Sequence, residues 1–107
     1  MDIDIYKCLD YIRDNAKKYA QAKANRVYLE EYRKTLKARL MSQYIGEPVN
    51  AQERNAYAHS EYEELLEGLK VAIEQEENLR WKLIAAQAKI EVWRSLSANQ
   101  RAEAKVI

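Results

Sequence analysis

Few side chains in this sequence have the types and spacing that chemistry requires. His59 is the only histidine and Cys8 the only cysteine, among 17 acidic and 18 basic residues. A thiolate beside an imidazole would make a nucleophile and its base. Metal sites in helical bundles pair inward carboxylates with Glu-x-x-His steps, and that spacing is absent here. No Gly-rich phosphate loop or zinc spacing occurs either. The sequence therefore reads as a non-enzyme, with no cofactor, no metal and no small-molecule substrate expected. His59 is expected to be a surface residue of a turn.

The side chains left to consider suit contact. Arg80, Lys82, Lys89, Arg94, Arg101 and Lys105 crowd the last third of the chain, with Lys17, Lys18 and Lys23 near its start. Such a set could dock nucleic acid or an acidic protein, or it could be ordinary solvated helix surface or meet the acidic end of a second subunit. There are eight Tyr and two Trp but no Phe. Tyr and Trp bury an apolar body while keeping a polar tip wet, which suits interfaces and thin cores alike. Tyr6, Tyr11, Tyr19, Tyr28 and Tyr32 fall in the first segment. Trp81 falls off the main apolar seam and is the aromatic expected to touch a partner.

That seam is the strongest signal in the chain. Tyr62, Leu65, Leu69, Ala72, Glu76, Leu79, Leu83, Ala86, Ile90 and Trp93 follow one another at alternating three- and four-residue steps, with Ser97 next. One long helix burying a stripe against other helices produces this pattern. Trp93 is expected in the core. Glu76, the one charged residue of the row, is expected at the seam edge or as a polar residue that sets register; in a dimer it could meet its own copy.

With two Gly and one Pro in 107 residues, turn formers are scarce. They cluster at Gly46-Glu47-Pro48-Val49-Asn50. The spacing Asn50…Glu53 matches a capping box and predicts a short helix opening at Ala51; Ser60…Glu63 matches a second at the start of the long helix. The chain thus reads as a single all-α domain: a helix over about 3–43, a turn and short helix over 45–58, and a long helix over about 61–103. The long helices, about 61 Å and about 64 Å at 1.5 Å per residue, would form an antiparallel, coiled-coil-like hairpin. That arrangement puts Cys8 and His59 at opposite ends of a rod, so no dyad is expected.

The first helix is harder to read. Ile5, Leu9, Ile12, Ala16 and Ala20 share one face, whereas Leu29, Tyr32, Leu36 and Leu40 share a face roughly opposite. Either the helix breaks near Ala22-Lys23-Ala24-Asn25, or it continues with one half also facing a second subunit. Leu66, Val71, Ile73, Ala85 and Val92 lie beside the seam of the long helix, a stripe too wide for one facing helix to cover. A two-helix layer has a thin core, so a homodimer forming a four-helix bundle is expected.

Charge is distributed unevenly. Residues 61–77 carry seven Glu and one Lys, opposite the basic stretch 26–44, and such flanking charges set helix orientation. Residues 1–25 and 80–107 together carry +5, while 26–79 carry −4. The overall +1 gives no global pull toward nucleic acid. No apolar run is long enough to span a bilayer, and the acidic Met1-Asp2-Ile3-Asp4 start is unlike a secretory signal. One cysteine fits a reducing cytosol.

The run Ala51-Gln52-Glu53-Arg54-Asn55-Ala56-Tyr57-Ala58-His59, with Glu61-Tyr62, Leu65-Leu66-Glu67-Gly68-Leu69 and Leu79 through Ser95, resembles small helical proteins of temperate bacteriophages and prophages. The likeness covers about half the chain, contains no catalytic motif and carries over no site residues. It implies a cytoplasmic phage protein of an early region near recombination genes. The function expected is that of a dimeric adaptor or inhibitor of a host or phage recombination, nuclease or defence complex. A nucleic-acid-binding accessory factor using the basic end is the alternative, and a purely structural bundle a third.

Overall fold

The structure, a computed structural model, describes residues 2–106. It is all-α. Helix α1 spans Ile5–Met41 and passes through a 3₁₀ turn, Ser42–Tyr44; α2 spans Val49–Ala58 and α3 spans Ser60–Val106. Two compact units are distinguishable: a middle unit, Gln21–Glu76, and a terminal unit made of the chain up to Ala20 together with Glu77 onward.

Local chemistry sets the helix ends. Asp4 caps α1, its carboxylate accepting the Lys7 backbone N–H at 3.2 Å. Neither expected capping box forms. Helix α2 opens at Val49 after Pro48, whose carbonyl accepts from Ala51 and Gln52 at 3.0 Å. Glu53 turns to Lys37 at 2.8 Å instead of reaching back to Asn50. At α3 the cap is His59, one residue earlier than the sequence pattern indicates: its Nδ1 accepts the Glu61 N–H at 3.1 Å. His59 is thus a half-buried capping residue. Glu61 and Glu63 in the first turn of α3 favour the positive end of the helix dipole.

In the middle unit the later half of α1 and the first turns of α3 run antiparallel, as the ion pairs Arg39–Glu61 and Arg26–Glu76 show. The core joins Leu36 and Leu40 of α1, Ala56 of α2, and Tyr62 and Leu65 of α3, with Leu29, Tyr32 and Met41 packed against it. Leu69 and Ala72 extend the buried row along α3. Tyr57 meets Tyr62 edge-on at 5.1 Å, while the Lys37 ammonium lies 4.7 Å from the Tyr57 ring centroid.

Glu76 is 5% exposed and lies within the seam, not at its edge. Arg26 grips it through two hydrogen bonds, Nε to Oε2 at 2.5 Å and Nη2 to Oε1 at 3.0 Å, and donates a third to Glu30 at 3.0 Å. The carboxylates hold the Arg26 guanidinium charged well beyond its ordinary range, Glu76 contributing most.

Helix α1 is continuous, which removes the break considered near Ala22-Asn25. Its better-covered positions form one row: Ile5, Cys8, Ile12, Asn15, Tyr19, Ala22, Arg26, Leu29, Tyr32, Leu36 and Leu40. Leu9, Ala16 and Ala20, grouped with Ile5 and Ile12 by a straight-helix reading, are exposed. The row advances by three and four residues alternately from Ile5 to Leu29 and then by three, four and four to Leu40, so it follows a coiled-coil stripe that drifts off a fixed face of a straight helix. The α3 row behaves as its spacing predicts from Tyr62 to Ile90, every member being buried or half-buried. Trp93 departs: at 38% exposed it is not a core residue.

Candidate interaction surface

Trp81 is 59% exposed on α3 and is held in place. Its indole N–H donates to Glu77 Oε2 at 3.0 Å, and the Arg80 guanidinium carbon lies 5.2 Å from its ring centroid. Arg80 also reaches Glu77 at 3.4 Å. Glu77 thus tethers an exposed aromatic and its neighbouring cation, the kind of pre-ordered Trp–Arg pair on which interfaces concentrate binding energy. The supporting Glu77 was not singled out from the sequence, although its position four residues before Trp81 is a legible helix spacing.

The remaining cations do not make one basic face. Lys82 and Lys89, seven residues apart, occupy one flank of the α3 seam; Arg80, Arg94 and Arg101, two heptads and one heptad apart, occupy the other. Arg94 is engaged locally by Glu91 at 3.3 Å. Arg101 lines a shallow hollow on α3 with Trp93, Ser97 and Ala104. Lys17 and Lys18 are exposed on α1, where Arg13 is tied to Asp10 and Asp14. Lys18 lies seven residues beyond Tyr11, on the same flank of the covered α1 row.

The Lys82–Lys89 flank opens into a groove within the terminal unit. One hollow of about 420 Å³ lies between Lys7, Cys8 and Tyr11 of α1 and Lys82, Ala85 and Lys89 of α3. A second, of about 350 Å³, shares Lys7, Cys8 and Lys89 and continues past Ala88 and Val92 to Ile3 and Asp4. The floor is small and apolar and the rim basic. Lys82, Lys89 and Tyr11 are legible in the sequence as contact residues, whereas Lys7 and Cys8 are not, because their contribution depends on how two helices pair.

Cys8 is a buried free thiol of the terminal unit, whereas His59 caps α3 in the middle unit. Among the described residues no group of three or more His, Cys, Asp or Glu is placed to hold a metal ion, and no helix is long and apolar enough to cross a membrane. Compared with known proteins, the chain matches no family model, and no curated protein or solved structure is significantly similar to it.

Proposed function

We propose that this chain is a non-catalytic helical interaction protein that works as a homodimer, two copies completing a four-helix bundle. The observation that carries this reading is the apolar surface left uncovered on α3: Leu66, Val71 and Ile73 in the middle unit, and Trp81, Val92, Trp93 and Leu96 in the terminal unit, are all 38–59% exposed. Exposed large apolar side chains in this number on one helix fit an association surface. The tethered Trp81, with Arg80 beside it, is the contact point for a protein partner. The likeness to small early-region phage proteins directs the search for that partner to recombination, nuclease or host-defence complexes in the cytoplasm, on which the dimer would act as adaptor or inhibitor.

A second reading, direct nucleic-acid binding, draws support from Lys17, Lys18, Lys82, Lys89 and Lys105, which make no ion pair among the described residues. Light scattering on size exclusion at low salt, with and without short single- and double-stranded DNA, separates the two. The expected result is a dimer that ignores DNA and, once a protein partner is in hand, loses it on Trp81→Ala. Co-elution with DNA that disappears by about 0.3 M salt would transfer the function to phosphate contacts. A monomer would overturn the dimer.

A further inference from the structure

We propose that the lysine-rimmed groove of the terminal unit is the seat of a second copy of this chain, specifically of its α3 segment Glu63–Glu77; this rests on the homodimer reading above. The groove offers a floor of Ile3, Cys8, Tyr11, Ala85, Ala88 and Val92 beneath Lys7, Lys82 and Lys89. The small residues Cys8, Ala85 and Ala88 of the floor let a further helix approach closely, as ridge-into-groove packing requires. None of the three lysines makes an ion pair among the described residues.

The segment that fits it belongs to the same sequence. Leu66 and Ile73 are each 42% exposed and lie one heptad apart, on one row of α3. Glu63, Glu64, Glu67, Glu74 and Glu77 lie along the same stretch of α3. Glu67 and Glu74 are exposed and, like the groove lysines, make no ion pair among the described residues. The segment's one cation, Lys70, has a counter-charge available in Asp2 and Asp4 at one end of the groove. An acidic helix with an apolar row therefore answers an apolar groove with a basic rim, the complementarity that selects partners and steers encounter. Each copy carries one groove and one such segment, so a pair has two equivalent contacts available.

Charge reversal tests this directly. A groove variant carries Lys82→Glu and Lys89→Glu; a segment variant carries Glu67→Lys and Glu74→Lys. All four positions are exposed, so circular dichroism should show unchanged helix content. By sedimentation equilibrium at low salt, each variant alone should dimerise about tenfold or more weakly than wild type. An equimolar mixture of the two variants should recover wild-type affinity, because both contacts in the mixed pair are again between opposite charges. Reversing Arg94 and Arg101 on the opposite flank should change dimer affinity by less than about twofold. A wild-type monomer would sink the homodimer reading and this inference together. A wild-type dimer that both variants leave intact would sink the groove alone, and weakening without recovery in the mixture would show that the two charge sets do not meet.

Discussion

The two units of this chain are built from the same two helices yet bury very different amounts. In the middle unit Leu36, Leu40, Ala56, Tyr62, Leu65, Leu69, Ala72 and Glu76 are buried; in the terminal unit only Cys8 and Ala86 are, among the described residues. Part of the difference is α2; farther along α3, Glu76 is covered by Arg26 of α1 instead. Where a third helix lays Ala56 onto the pair, large aliphatic side chains are sealed from water; where two helices are alone, the row holds smaller or half-wet residues and a groove stays open. A two-helix layer cannot close a core around Leu-sized residues. One unit thus has the larger core, although Leu66, Val71 and Ile73 keep exposed apolar surface there too, and the other leaves its groove open.

The contrast is sharpest at Leu40, which has no exposed surface. Leu40→Ala should cost about 2–5 kcal/mol in urea unfolding, the range for a truncated core leucine. The half-buried Ile12 of the terminal unit tests the other side: Ile12→Ala should cost on the order of 1 kcal/mol or less as a monomer. Equal losses at the two positions would erase the distinction between the units.

The Arg26–Glu76 pair comes next. Arg26→Met removes the guanidinium that donates to both oxygens of the buried Glu76 carboxylate and should lower the urea midpoint clearly. Adding Glu76→Leu should restore most of it, since a buried pair replaced by apolar residues of similar size is often neutral. Failure of the second change to recover stability would mean that the pair stabilises the fold beyond mutual compensation.

The smallest effect is at the Lys37–Glu53 bridge. The hydrogen bond from Lys37 holds the Glu53 carboxyl below its ordinary 4.5, and Glu53, aided by Tyr57, holds Lys37 above its ordinary 10.5. The stabilisation is therefore complete between those two values. It is lost as pH falls through the lowered Glu53 value or rises through the raised Lys37 value. Wild type and Glu53→Gln should differ by a small, constant Tm from about pH 5 to about pH 10 and converge as pH falls through the lowered Glu53 value; the difference is small because the pair is only half-buried. A difference that grew on acidification would contradict this assignment.

What the sequence made legible follows from how far each signal depends on distant residues. The α3 seam from Tyr62 to Ile90 is spelled in apolar letters, and spacing alone locates it. The α1 row is as regular only as far as Leu29, and Cys8, Asn15, Tyr19 and Arg26 disguise it, so the eye is drawn to Leu9 and Ala16, which the structure leaves in water. Arg26 belongs to the row only because Glu76 faces it across the pair. Both capping-box patterns misled for a similar reason: Glu53 has a better partner in Lys37, and His59 reaches the Glu61 N–H first. At the candidate surface, the basic residues could be read from the sequence. Their division between two flanks is a heptad count, and the groove required knowing which α1 residues lie alongside Ala85 and Ala88.

The long carboxyl-terminal stretch of α3 has a consequence in time. Beyond Ile90, only Ser97 among the described side chains is less than exposed, so the helix there is held by little besides its own backbone. Amide hydrogens from Leu65 to Ala72 should exchange only when the middle unit opens as a whole, whereas those past Leu96 should exchange with each passing fray. A single helix thereby carries a gradient of lifetimes, and a protease given brief access would make its first cuts after Arg94 and Arg101 long before it reached Lys70.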